Sequence, residues 1–515
     1  MGVPAPVGFV VGDFVPGMYT QVQFGVGLQS SGLIEQTALL LGNKGSDGSA
    51  TADADIVAIG SQDDSDALIG LTCELAQMNA AALSVTSVSL YNAPVATASG
   101  AGATFTVTIS GSWTTAGTIY VRANGKWYPI NFAVTDTTAS LAGDAVAAGV
   151  NGDPRAPFTL VNSSGTVTGT CDTLGARGNE YLIGWDTTLK PTGMVVTFAG
   201  GTLLHGTSTS AKGLMPCVNG SGADSLANVI TLMKNRTWDF IGCAEHDSTN
   251  AGLLKAHLAA ECVSTIGHRE HAIYAFNQAR ATTNTFASTT LNDPRQSVVS
   301  MLNAETYPAA IAAAFAAARS VRNPDNPNLN WDNYPYDGNG VLIFEVLPIL
   351  GAQWDSDKPT HQTNKVDLAS GTTPLMTNPD GTVRVVSAVQ SHCRNGSAND
   401  FRTLYWGEDT CPDRYAADME SVYGGMKADN PYDGPDNPPD QFPPDARVMT
   451  PSMWNAELIS MLRTHEANNW AEQVSAHLPV SEWNYTRKCV LSVAPYIVRT
   501  QNHQVGLIVR QTVAA

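Results

Sequence analysis

The sequence predicts an α/β (α+β) fold: a core with parallel βαβ units, an inserted mostly-β domain, and strand arms at the N- and C-termini. Three observations carry that expectation. Apolar runs of strand length alternate with segments of helical periodicity before residue 92 and again after residue 201, as in an α/β layer. Between them the chain turns rich in Gly and Thr and alternates with period 2. Both chain ends carry strand-like segments with no matching strand within hairpin reach.

The first such segment is VPGMYTQVQF, Val15 to Phe24. It sets Met18, Thr20, Val22 and Phe24 on one face and Tyr19, Gln21 and Gln23 on the other. Gly25 to Gly32 (GVGLQSSG) is a turn; its glycines lack the spacing of a dinucleotide loop and it opens a strand rather than a helix. Ile34 to Gly45 is a buried strand closed by turn residues. Leu68, Leu71, Leu75 and Met78 then recur at helical spacing, behind Asp63, Asp64 and Asp66, which suit a helix N-terminus. Ser84 to Tyr91 returns as a strand.

Within the Gly/Thr-rich region, TFTVTIS, GTIYVRANGKWYPINFAV and FTLVNSSGTVTGT alternate as strands do. Asn124-Gly125 suits a two-residue primed turn, and TASLAGDAVAAGVN reads as a helix among the strands. Afterwards SLANVITLMKNR is helical, WDFIGCA a buried strand, GLLKAHLAAEC helical and HAIYAFN a strand. A right-handed crossover makes the last three a parallel βαβ unit. Ser297 to Leu302, an Ala-rich helix, Gly340 to Val346 and Thr382 to Val389 continue the pattern.

Asp429 to Pro451 is rich in Pro and Asp, a solvated stretch with polyproline character. Thr450 then N-caps a helix with Pro451 at its first position and Trp454, Leu458, Met461 and Leu462 on its apolar face. KCVLSVAPYIV and HQVGLIVRQTVAA close the chain as strands, the second apolar on both faces and therefore expected inside a sheet. The expected division is an arm with a strand (1–30), a discontinuous α/β core (31–91 and 202–425), the inserted domain (92–201), a Pro/Asp-rich linker (426–450) and a C-terminal helix and sheet (451–515).

At 515 residues the chain exceeds one compact core. With 46 acidic residues against 28 basic ones its net charge is −18, which disfavours direct contact with nucleic acid or anionic membranes. The most suspicious apolar run, Tyr307 to Val321, is Ala-rich and too short to span a bilayer. Cysteines 73, 171, 217, 243, 262, 393, 411 and 489 form no close pair and read as reduced and mostly buried. No basic n-region marks a signal peptide, so a soluble intracellular product is expected, and the triplets at Asn162, Asn219, Asn235, Asn395 and Asn484 read as chance.

Chemistry is sparse. His268 and His271 stand three apart in GHREH, not the four that a zinc-binding helix face requires, so a polar loop is the plainer reading. CAEHD, Cys243 to Asp247, gathers a thiol, a carboxylate and an imidazole at the end of a parallel strand, where α/β enzymes place active groups. The plainer alternative makes Cys243 core and Asp247 or Ser248 the N-cap of the next helix. Neither a phosphate-binding loop nor a nucleophile elbow occurs, so no enzyme and no cofactor is expected.

Taken in order, the segments resemble the tail-sheath proteins of contractile-tailed bacteriophages, especially the Mu-like group. VPGMYTQVQF resembles that family's N-terminal "PG-[VM]-Y" strand. QTALLLGNKGSDGSA and GSQDDSDALIGLTCELAQM resemble its first strand and following helix. GTIYVRANGKWYPINFAVTDTTASLAGDAVAAGVN and LGARGNEYLIG resemble its inserted domain, WDFIGC and HAIYAF its central βαβ unit, and VMTPSMWNAELISMLR its "TP" helix. The likeness weakens in Asp325 to Asp380 and in the Pro/Asp-rich stretch.

The resemblance implies a non-catalytic virion subunit assembled in the host cytoplasm. It stacks as six-membered rings around an inner tail tube, and contracts to drive the tube through the host envelope. Partners implied are other copies, the tube protein, and baseplate and tail terminator proteins. The arms would add strands to neighbouring subunits: Met18, Tyr19, Thr20, Gln21, Val22, Gln23 and Phe24 at one end. At the other stand Val490, Leu491, Val493, Tyr496, Val498, Val505, Leu507, Ile508, Val509 and Arg510. Trp454, Glu457 and Arg463 on the helix after Pro451 are the candidates to face the tube. The rival readings are another virion protein (capsid, decoration or baseplate) and an α/β enzyme using Cys243, Glu245 and His246.

Overall fold

The structure, a computed structural model, describes residues 36–499 apart from 86, 98–99, 136–137, 264–265, 330, 332–345, 351–352, 397, 401, 431 and 437–446. The arm strand Met18–Phe24, the residues from Val505 to Arg510 and most of the expected strand at 340–346 lie outside the described residues. Two compact units emerge, one of residues 33–325 and 346–405, the other of 1–32, 326–345 and 406–515.

The larger unit begins with β1 (Thr37–Asn43) and β2 (Val57–Ile59), then α1 (Gln62–Leu68), α2 (Glu74–Ala82) and β3 (Ser89–Val95). The sequence suggests one helix through Leu68, Leu71, Leu75 and Met78; the structure makes two. Gly70 adopts φ +107, a left-handed conformation that ends α1, and Cys73 caps α2 with its sulfur accepting from the Ala76 amide. The third strand starts at Ser89 rather than Ser84, because 83–85 close α2 as a turn.

The insertion follows as β4 (Gly102–Gly111), β5 (Gly117–Ala123), β6 (Lys126–Phe132), α3 (Ala139–Asn151), β7 (Phe158–Ser163), β8 (Thr166–Leu174), β9 (Leu182–Asp186), β10 (Met194–Ala199) and β11 (Lys212–Pro216). Two four-stranded antiparallel sheets result, in the orders β10-β4-β8-β7 and β11-β9-β5-β6. Asn124 (φ 47) and Gly125 (φ 75) form the primed turn between β5 and β6, and Thr138 caps α3. The last strand of the insertion, β11, lies beyond residue 201. Its entry and exit meet at Ala101 and Ser221, each of whose amides donates to the other's carbonyl at 3.1 Å.

The core resumes with α4 (Ala227–Met233), β12 (Phe240–Cys243), α5 (Ser248–Glu261), β13 (His271–Phe276), α6 (Arg280–Thr285), β14 (Gln296–Ser300) and the Ala-rich α7 (Pro308–Arg322). Then come β15 (Val346–Leu350), α8 (His361–Ala369), β16 (Thr372–Thr377), β17 (Thr382–Val385) and the two-residue strands β18 (Arg394–Asn395) and β19 (Ala398–Asn399). Nine strands make one mixed sheet in the order β15-β17-β16-β14-β13-β12-β1-β3-β2. From β3 through β1, β12, β13, β14 to β16 all pairings are parallel; β2, β17 and β15 pair antiparallel at the edges. The fold is therefore mixed α/β with a parallel sheet centre and separate antiparallel sheets. The central strands are buried along their whole length, as a sheet covered on both faces requires. The small side chains of α7 let it pack closely against α2, β12 and β13.

The smaller unit holds α9 (Gly407–Asp429), β20 (Tyr432–Asp433), β21 (Val448–Met449), α10 (Pro451–Ala467), β22 (Val480–Asn484) and β23 (Cys489–Val493). Thr450 N-caps α10, its hydroxyl accepting from the Met453 amide at 3.3 Å, with Pro451 at the first turn. Strands β22 and β23 form a hairpin that packs on α10. No helix among the described residues is long and apolar enough to cross a membrane.

Candidate functional site

Two regions gather the groups the sequence singled out. In the larger unit, the ends of β1 and β12 meet a short turn of the insertion, Ala176–Glu180. Arg177 of that turn reaches into the core: its Nε lies 2.9 Å from Glu74 Oε1 of α2 and its Nη1 3.6 Å from Glu245 Oε2. Tyr307 donates its hydroxyl to the same Glu74 oxygen at 2.5 Å and stacks on Tyr181 at 4.1 Å. Asn43 completes the cage, its amide N–H donating to Glu74 Oε2 at 3.0 Å and its side chain to Asp224 at 2.8 Å.

Charge balance follows from these distances. Burial alone would lower the pKa of Arg177, but Glu74, Tyr307 and Glu245 outweigh it and hold the guanidinium well above its ordinary value. Glu245, more distant from Arg177, is governed by burial, and Glu74, Asp224 and Asp247 add to it, so its carboxyl is pushed up to about 8. Burial pulls Glu180 up too, but His246 and Arg177 prevail and hold it below the usual range. His246 sets Nε2 2.7 Å from Glu180 Oε1 and Nδ1 3.2 Å from the Ala244 carbonyl, so both ring nitrogens face acceptors.

Cys243, Glu245 and His246 do not make a nucleophile and its base. Cys243 is 1% exposed, its thiol donates to the Glu245 carbonyl at 3.2 Å, and burial pushes its pKa up. His246 faces Glu180, not the thiol. Asp247 caps α5, accepting from the Thr249 and Asn250 amides at 2.9 and 3.1 Å, so the plainer reading of CAEHD describes this stretch. In GHREH, His268 and His271 do not converge on a metal; His268 Nδ1 lies 3.3 Å from Glu270, which also meets His257 Nε2 at 2.8 Å. Among the described residues no group of three His, Cys, Asp or Glu side chains could hold a metal ion.

Sequence reasoning missed the role of the insertion's arginines. Besides Arg177, Arg122 Nε lies 3.0 Å from Glu305 and Arg155 Nη2 2.5 Å from Asp66, so all three pair with carboxylates of the core. The only signal was their presence in a region otherwise poor in charge.

In the smaller unit α10 divides the three tube-facing candidates. Glu457 and Arg463 are exposed, whereas Trp454 is buried against Tyr423 with Met419, Met449 and Leu458. Of the C-terminal candidates, Val490, Leu491 and Val493 lie on β23. Val493 stands opposite Val480, and both are exposed, 38% and 60%. Leu491 is buried, as is Tyr496, whose hydroxyl donates to the Trp470 carbonyl at 3.0 Å; Val498 bridges to Ala471. Among the described residues the β22–β23 hairpin takes no third strand.

No protein-family model and no curated protein matches the chain. Solved structures do. The anti-feeding prophage baseplate is similar at 11% identity and a TM-score of 0.34, over 58% of this chain and 76% of the other. The chain is similar to the sheath tail protein of Listeria innocua at 11% identity and a TM-score of 0.44, over 92% of this chain and 94% of that one. It is also similar to the sheath tail protein of Desulfitobacterium hafniense at 12% identity and a TM-score of 0.42, over 93% of this chain and all of that one.

Proposed function

We propose that this chain is a structural virion protein, the subunit of a contractile phage tail sheath that polymerises as six-membered rings around the tail tube and contracts to drive it through the host envelope. The observation that carries the reading is the order of the resembling segments across both ends, the core and the insertion. The PG-M-Y segment, the insertion, the βαβ unit and the TP helix occur in that family's sequence order.

Among the described residues the β22–β23 hairpin pairs with no third strand and sets two exposed valines opposite each other, a form that accepts further strands. Strands donated by the arms would supply main-chain hydrogen bonds of about 1 kcal/mol net each, independent of side-chain detail. Such joints hold while rigid bodies rearrange between two packings, so the motion needs no nucleotide.

Negative-stain microscopy of the purified protein is expected to show tubes or stacked rings with six-fold symmetry; shells or a persistent monomer would overturn the assignment. Deleting residues 1–24 is expected to leave a folded core that no longer forms long sheaths. Normal sheaths from the truncated chain would refute strand donation by this arm.

A further inference from the structure

The cleft where the insertion meets the strand ends gathers more carboxyl groups than basic side chains. It measures about 850 Å³, and Glu180, Glu245 and Asp247 line it, with Glu74 and Asp224 acting on Glu245 from behind. Arg177 and the His246 imidazole face the cleft, and each is engaged: Arg177 most closely with Glu74, His246 with Glu180. Among the described residues Glu245 Oε1 has no hydrogen-bond partner, although the residue is 2% exposed and lines the cleft. The remaining wall is apolar, formed by Leu182, Leu204, Phe276, Phe286 and Leu302.

The geometry points to a binding site for an alkylammonium group, with the charged nitrogen at Glu245 and Asp247 and its methylenes along that apolar wall. An anion would meet carboxylates with no cation to spare. Metal coordination has no converging donor set among the described residues, whereas an ammonium needs only acceptors and tolerates an apolar flank.

Proton linkage gives the site a signature. With its pKa pushed up by burial to about 8, Glu245 is mostly protonated at pH 7, facing Arg177 from the insertion, Glu74 from α2, Asp224, and Asp247 and Cys243 of its own segment. An arriving ammonium keeps its charge while the Glu245 O–H bond ionises and its proton leaves to solvent. Binding therefore releases close to one proton at pH 7 and is about fivefold tighter at pH 8.

Calorimetry of the full chain with 1,4-diaminobutane, in buffers of different ionisation enthalpy, reads both quantities. Expected are binding with that proton release, at least tenfold weaker binding without it in Glu245→Gln at an unchanged unfolding midpoint, and none with butan-1-ol. Leu204→Arg, at a half-exposed position on the wall, is expected to block the site without touching the buried network. Carbodiimide coupling of the assembled chain separates two sources of the group: a Glu245 or Asp247 link to a lysine of another copy assigns the site to a neighbouring subunit, and diamine binding without such a link assigns it to a free amine. Absence of both diamine binding and coupling, or diamine binding that is undiminished in Glu245→Gln or releases no proton, would overturn the proposal.

Discussion

Arg177 Nε lies 2.9 Å from Glu74 Oε1, with Glu74 fully buried and Arg177 8% exposed, so one side chain of the insertion ends inside the α/β core. A buried pair contributes little beyond what an apolar pair would, but removing one partner strands the other. Arg177→Met is therefore expected to destabilise the larger unit by about 3–5 kcal/mol, read from urea unfolding. Arg177→Met with Glu74→Gln should recover a large part of that loss; an additive double mutant would contradict the coupling. Arg155→Ala, whose pair with Asp66 is far more exposed, should cost no more than about 1 kcal/mol.

Glu305 pairs with Arg122 at 3.0 Å, yet burial outweighs the pair and pushes its carboxyl up to about 7, from an ordinary 4.5. Since the folded state holds this proton more tightly than the unfolded one, the contribution is complete below pH 4.5 and is lost as pH rises to about 7. Compared with Glu305→Gln, the wild type is expected to lose up to about 3 kcal/mol of unfolding free energy across that window and to run parallel above it. Parallel curves throughout would show that Glu305 titrates normally.

Along α10, burial separates stability from surface function. Trp454→Ala should cost about 3–5 kcal/mol by thermal unfolding, because the indole fills the space between α9 and α10. Arg463→Glu, on the exposed face, should leave the unfolding midpoint unchanged and, if this face meets the tube, abolish co-purification with tube protein. Retained co-purification would move the tube contact off Arg463.

Val480 and Val493, exposed and directly opposite each other, mark the outer face of the hairpin. Val480→Asp is expected to change unfolding free energy by less than about 0.5 kcal/mol while shortening or abolishing tubes seen by microscopy. Full-length tubes from this variant would place the assembly contact elsewhere.

Strong local patterns made much of the fold legible: the βαβ unit Phe240–Phe276, the Asn124-Gly125 turn, the Asp247 cap and the Thr450–Pro451 helix start are all short-range signals. Helix α9 escaped notice because it is polar and carries Pro412 inside it, a residue that ordinarily argues against a helix interior. Strand β22 (VSEWN) was too short and polar to stand out before its pairing with β23 was known. The Arg177 cluster joins residues 130 and 233 positions apart, a separation that no local periodicity encodes.

The paired backbone of Ala101 and Ser221 has a consequence for how such a chain can change over generations. Because the insertion leaves and rejoins the core at adjacent points, a different domain whose termini lie equally close could occupy the same place without rerouting any strand of the nine-stranded sheet. The seam thus works as a graft point: the sheet beneath can stay constant while what it displays is exchanged, provided the newcomer brings a cation for Glu74.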